Sequence, residues 1–231
     1  MSIVDRWHAT RAGALWHSSI GKKAVMAITG AALLLYVVVH MLSNLKFFLG
    51  PESLDGYGHW LRSIAAGALG YEGFVWMVRV GLLACVILHG VAAVQLARRA
   101  RRARPDRYRT RTRVADGYAV RTMRWGGVIL ALFIVYHILD LTTGTLNPHG
   151  VHGEIHANVR ADFDRWYVVL AYTVSVVALG FHIRHGLWSA LQSLGAAGRE
   201  QRTLRRIALG GAVFVCAGFL SIPFAVITGL S

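Results

Sequence analysis

The stretch AVMAITGAALLLYVVVHMLSNLKFFL, Ala24–Leu49, decides the fold. It is apolar almost throughout, carries one formal charge (Lys46), and does not alternate polar with apolar residues. A helix needs about 20 mostly apolar residues to cross the hydrocarbon core of a bilayer. A strand of this length would show period-2 patterning, so the stretch predicts a spanning helix. Four further stretches read the same way: Val75–Ala97, Arg121–Thr143, Trp166–Ser193 and Ile207–Gly229. Pro223, near the end of the fifth, predicts a kink that neighbouring helices can accommodate. Residues 1–23 are basic and lack an apolar core, so no cleavable signal peptide is expected there. The fold class that follows is all-α integral membrane. Residues 1–231 are expected to form a single membrane domain of five transmembrane helices, the first four forming a bundle.

Composition agrees. Of 231 residues, 55% are hydrophobic and only 16% charged, with a net charge of +14. Soluble domains carry about 25% charged residues. The balance excludes a disordered chain or a collagen, and two distant cysteines, Cys85 and Cys216, exclude a disulfide scaffold. The positive charge falls in blocks. Arg98–Arg113 holds nine Arg against one acid, Asp106, and the N-terminus and Arg199–Arg206 are also basic. Loops 50–74 and 144–165 carry Arg62, Arg160 and Arg165 against Glu52, Asp55, Glu72, Glu154, Asp162 and Asp164. Five spans put the basic segments on one side, which the positive-inside rule assigns to the cytoplasm, with the N-terminus. The Arg block is therefore a topology signal that also meets anionic headgroups. With one interleaved aromatic, Tyr108, it does not read as a nucleic-acid surface.

Ionisable residues inside spans are costly and point to function. His40, His89, His137 and His182 each occupy one of the first four spans. Counted at 1.5 Å per residue, His40 lies 16 residues from its inner end and 9 from its outer end. His137 lies 16 from its inner end and 6 from its outer end. His89 lies 14 from the outer end and 8 from the inner, and His182 lies 16 and 11. The four sort into an outer pair, His40 with His137, and an inner pair, His89 with His182. Two imidazoles on facing helices at one depth are what bis-histidine haem ligation requires. Gly90 and Gly186 would leave room for a macrocycle, and Lys46, Arg98 and Arg184 could meet its propionates. His185, one turn after His182, competes with it or bonds a propionate or quinone. His149, His152 and His156 read as a solvated outer-loop cluster. Cys85 and Cys216 read as small buried hydrophobes, because the close ligand spacing of an iron–sulfur site is missing.

The chain resembles the five-helix, b558-type cytochrome b subunit of succinate:quinone oxidoreductases (succinate dehydrogenase or fumarate reductase). The resemblance rests on Ser18-Ser-Ile-Gly-Lys-Lys-Ala-Val-Met-Ala-Ile-Thr-Gly30, Val39-His40-Met-Leu-Ser-Asn44 and Ile87-Leu-His89-Gly90. It continues through Val135-Tyr-His137-Ile138 and Phe181-His182-Ile-Arg-His185-Gly-Leu-Trp-Ser189. It implies two b haems, with His40 and His137 holding the distal one and His89 and His182 the proximal one. It assigns His182, not His185, as ligand. It also implies flavoprotein and iron–sulfur subunits docked on the cytoplasmic side, electron delivery to quinone, here menaquinone, and a place in a bacterial cytoplasmic membrane, with a higher oligomer open. Succinate oxidation itself belongs to the flavoprotein.

Quinone reduction needs proton donors beside the quinone carbonyls. Outer candidates are His59, Trp60, Glu72 and Asp140, and inner ones His17, Ser18, Ser19 and Lys22. Asp140, still within its span, is the most unusual. The competing readings are a haem-poor anchor with another metal centre, a cytochrome b anchor of another dehydrogenase, and a non-redox transporter or anchor.

Overall fold

The computed structural model describes residues 16–103, 116–193 and 201–230. These residues are helical almost throughout, and no strand occurs among them. The elements are α1 (Ser19–Asn44), α2 (Pro51–Ser63), α3 (Ala66–Leu69), α4 (Gly73–Arg102), α5 (Asp116–His137), α6 (Ile155–Phe163), α7 (Trp166–Ser193) and α8 (Gln201–Ile227). Five helical stretches are long and apolar enough to cross a membrane: Ser19–Leu49, Gly73–Arg102, Thr122–Thr142, Trp166–Gln192 and Arg202–Ile227. They correspond one for one to the expected spans, with most boundaries differing by up to five residues.

Local chemistry explains the ends. Ser18 caps α1 by accepting a bond from the Gly21 amide at 2.8 Å. After Asn44 the chain tightens into a 3-10 turn, Leu45–Leu49, which stops at Gly50 with φ 89°. α5 ends in a π-helical turn, Ile138–Thr142, one of the local distortions that tend to mark functional sites. Glu72 adopts φ 68° at the entry to α4, a conformation costly for a side-chain-bearing residue. Two bonds hold it there. Its amide donates to the Arg62 carbonyl at 2.8 Å, and its carboxylate accepts from Arg62 Nε at 2.9 Å.

α2 and α6 are helices within segments read from sequence as loops. They pack on each other across the outer end of the bundle. Their apolar faces feed a core of Phe47, Leu54, Phe163, Val168, Val169, Tyr172, Ile222 and Val226. A second cluster at mid-depth joins Ile183, Ala212 and Val215 to Leu34, Val37, Leu179 and Phe219. Glycines let backbones approach, as is common between membrane helices. A Cβ on Gly218 of α8 would stand 2.8 Å from Met41 Cγ and closer still to its sulfur.

α4 packs on α1, α5 on α7, and α7 on α8, while α1 also meets α7 and α8. The outward faces are apolar: Leu35, Trp76, Val80, Leu83, Trp125 and Leu132 are all more than half exposed. Such surface would be an aggregation liability in water and is the expected lipid face of a spanning bundle. α1, α4 and α5 are covered least, α7 and α8 most.

Candidate functional site: two histidine pairs between helices

His40 and His137 face each other with ring centres 5.9 Å apart and planes at 78°. His89 and His182 do the same at 6.2 Å and 58°. The helices that carry each pair, α1 with α5 and α4 with α7, are not among the closely packed helix pairs of the described residues, so the rings meet across a wider separation. An imidazole nitrogen sits about 2 Å from the metal it binds. Two imidazoles on opposite sides of one metal therefore place their ring centres about 6 Å apart.

The second nitrogens are also disposed for ligation. Histidines that hold metals almost always donate the other ring N–H to a carbonyl, carboxylate or similar partner. His89 Nδ1 lies 3.1 Å from the Met26 carbonyl, to which it donates, and 3.3 Å from Thr29 Oγ1. The Thr29 hydroxyl itself donates to the Val25 carbonyl at 2.7 Å. His137 Nδ1 lies 3.2 Å from the Tyr172 hydroxyl, which donates on to Asp140 Oδ2 at 2.9 Å. With Nδ1 donating, Nε2 of both rings keeps its lone pair free, and neither Nε2 is hydrogen-bonded among the described residues. His182 Nδ1 is buried with no hydrogen-bond partner. His40 stacks on Tyr36 at 5.4 Å and rests near Phe219. These features fit a pair of bis-histidine haem sites.

The glycines against the rings are not those singled out from sequence. A Cβ on Gly30 would come within 3.2 Å of His89 Cε1, and one on Gly127 within 4.0 Å of His182 Cε1. Gly90 and Gly186 face open space. Both belong to the helices that carry His89 and His182, whereas the close glycines belong to neighbouring helices, a relation invisible in linear spacing.

The outer candidates divide. His59 and Trp60 are exposed on α2, with His59 beside Gly153. Glu72 is paired with Arg62, and His152 Nε2 lies 3.7 Å from it. Asp140 is apart from these, fully buried in the π turn. The inner candidates gather where α1 begins and α4 ends. Arg99 donates to the His17 carbonyl at 2.7 Å and to Ser19 Oγ at 3.1 Å, Ser18 caps α1, and Lys22 is buried, its ammonium donating to the Trp16 carbonyl. Of the loop histidines, His149 pairs with Glu154 at 2.7 Å and His156 stacks on Phe47 at 4.4 Å. Cys85 and Cys216 are free thiols, and Cys216 Sγ donates to the Val176 carbonyl.

Sequence reasoning missed Tyr172, Asp162 and Arg165. Asp162 is fully buried at the end of α6, in contact with Arg165 three residues on, and the Arg165 guanidinium also lies 3.9 Å from Asp140. Burial, with the nearby Asp140 carboxylate and its charge, pushes the Asp162 carboxyl up to about 7 against the pull of Arg165. The usable signal was a tyrosine in the fourth span at the depth of the outer histidines.

Fold and site together define a multi-pass helical membrane protein with two imidazole pairs at separate depths. The model of the succinate dehydrogenase/fumarate reductase transmembrane subunit family matches residues 97–221, more than half of the chain, including His137 and His182. The chain belongs to that family, whose members are membrane subunits of a multi-subunit oxidoreductase. No curated protein and no solved structure is a match to it.

Proposed function

We propose that the chain is the dihaem membrane anchor of a bacterial succinate:quinone oxidoreductase. It would accept electrons from an iron–sulfur subunit on the cytoplasmic side and pass them to menaquinone. The observation that carries this reading is the two ring pairs about 6 Å apart, each joining helices that are not closely packed on one another. His40 and His137 would hold the outer haem b, and His89 and His182 the inner one. When bound, each haem supplies reversible one-electron chemistry, with potential tuned by the axial ligands, burial and nearby charge.

The remaining work falls to the chain's own groups. The Met26 carbonyl and Thr29 fix the His89 ring, and Tyr172 fixes that of His137, each holding the proton on Nδ1. The apolar lipid-facing helices keep water from the conduction path. The basic inner rim, including Arg98, Arg99, Arg101 and Arg102, presents cations and the Arg99–Ser19–His17 cluster to a docking partner. Two places offer proton donors for a quinone: the outer group around His59, Trp60 and Glu72, and the inner group around His17, Ser18, Ser19 and Lys22.

A pyridine haemochrome assay on the purified complex, with its subunits identified, tests the reading and should report two haems per chain. His89→Ala or His182→Ala should lose the inner haem, and His40→Ala or His137→Ala the outer one. Four single variants that all keep a full two-haem spectrum would overturn the ligand assignment.

A further inference from the structure

The polar groups at the outer end form one line. His137 Nδ1–H donates to Tyr172, the Tyr172 hydroxyl donates to Asp140 Oδ2, and Asp140 neighbours Asp162, which Arg165 contacts from the turn before α7. Both carboxylates have zero exposure. Asp140 Oδ1 and Asp162 Oδ2 are buried oxygens with no hydrogen-bond donor. Two carboxylates side by side share the single cation of Arg165, whose side chain is about a quarter exposed and opens the pair to the outer water. Among the described residues the other titratable groups that interact electrostatically with Asp162 are Tyr136 and Tyr172, from α5 and α7, and neither supplies a positive charge. Two buried like charges with one counter-ion are an arrangement in which one carboxyl is driven to keep a proton. That proton supplies the donor one orphaned oxygen lacks.

We propose that Asp140 and Asp162 form a proton-binding site, with Asp162 as the group that titrates, linked through Tyr172 to the charge on the metal group held by His40 and His137. The inference rests on the reading that these histidines hold a haem. With a haem held there, each electron it gained from the partner's one-electron carrier would be matched by one proton entering the carboxyl pair from the outer water, leaving the net charge of the buried region unchanged. Loss of that electron would be matched by release of the proton from the pair to the same water. Asp162 lies in α6, outside the spans, and does not touch a ligand histidine. Its raised affinity for a proton, near neutrality, matches this role.

The test combines two measurements on the purified full chain in its complex. Infrared spectroscopy between pH 5 and 8 follows the carbonyl band of a protonated carboxyl. Spectroelectrochemical titration over the same range follows both haems. The wild type should show a carboxyl band that fades as pH rises through about 7 and is missing from Asp162→Asn. The outer haem potential should fall with pH, the inner one much less, and a one-electron couple fully linked to one proton moves about 59 mV per tenfold change in proton activity. Asp162→Asn should flatten that slope. Tyr172→Phe should keep the band and lose the slope, which a purely structural ion cluster would not do. A wild-type slope in a folded, two-haem Asp162→Asn protein, or no band at pH 6, would overturn the proposal. If Asp162→Asn does not fold, Asp140→Asn takes its place. A chain purified without haem would defeat the functional reading instead, and the band titration, which needs no haem, would still decide the proton site.

Discussion

Removing one oxygen atom from Tyr172 should loosen the outer end of the bundle out of proportion to the size of the change. The hydroxyl accepts from His137 Nδ1 at 3.2 Å and donates to Asp140 Oδ2 at 2.9 Å, and the ring packs against Phe133, Phe163 and His137. Tyr172→Phe keeps the ring and deletes both bonds. One is neutral, worth about 1 kcal/mol, and the other reaches a carboxylate, worth about 1.5–3 kcal/mol. Asp140 already has one orphaned oxygen, so the variant strands both. The expected loss is about 2–4 kcal/mol, or roughly 4–16 °C in melting temperature for a chain of this size. His137 also loses the partner that orients its ring, which typically weakens metal affinity 10–100-fold. The assay is thermal unfolding of the detergent-solubilised complex, followed by the absorbance of each haem. Tyr136→Phe is the control, since the Tyr136 hydroxyl makes no hydrogen bond among the described residues although its ring lies 6.0 Å from that of Tyr172. If Tyr172→Phe melted within about 2 °C of Tyr136→Phe and retained the outer haem equally well, the bridge would not exist as described.

Two further outcomes follow from packing and charge. Gly218→Ala places a methyl group inside the buried Met41 side chain and should cost about 1–3 kcal/mol. Met41→Ala in the same chain should recover part of that loss, a coupling read from a double-mutant cycle, and additive losses would refute the contact. The pH dependence has a definite sign. The folded Asp162 carboxyl titrates near 7, above its ordinary 3.8, so the folded state binds more protons than the unfolded one between those values. Its contribution to stability is complete below about 4 and lost as pH rises through about 7. Melting temperature measured from pH 5 to 8 should therefore fall more steeply in the wild type than in Asp162→Asn, and equal slopes would contradict the burial argument.

Most of the fold was legible because the bilayer imposes a length and a polarity that a sequence must meet. The stretch Ala24–Leu49 has no other stable solution, and the four others repeat it. The amphipathic helices α2 and α6 were not legible. Each is short, and α2 contains two glycines, Gly56 and Gly58, the second of which lies close to Ile155 of α6. Their helicity comes from packing across the outer end of the bundle, not from local propensity. The histidines stood out because an imidazole in an apolar span has few bland explanations, and counting residues from helix ends placed them at two depths. Their supporting groups did not stand out. A main-chain carbonyl such as that of Met26 leaves no trace in composition. Tyr172 looks like any aromatic in a span, and Asp162 and Arg165 look like loop charges until α6 folds them inward. Gly30 and Gly127 matter through helices they meet only in three dimensions.

The packing pattern also bears on how the chain is put together. α1 and α4 form one unit, and α5, α7 and α8 form another. His40 and His89 belong to the first and His137 and His182 to the second, so each imidazole pair takes one ring from either unit. Among the described residues the close helix contacts between the units are those of α1 with α7 and α8, and α4 packs on α1, with α2 and α3 also against it. A group held by both pairs would therefore join the two units like a rivet, in addition to the contacts that α1 already makes with α7 and α8.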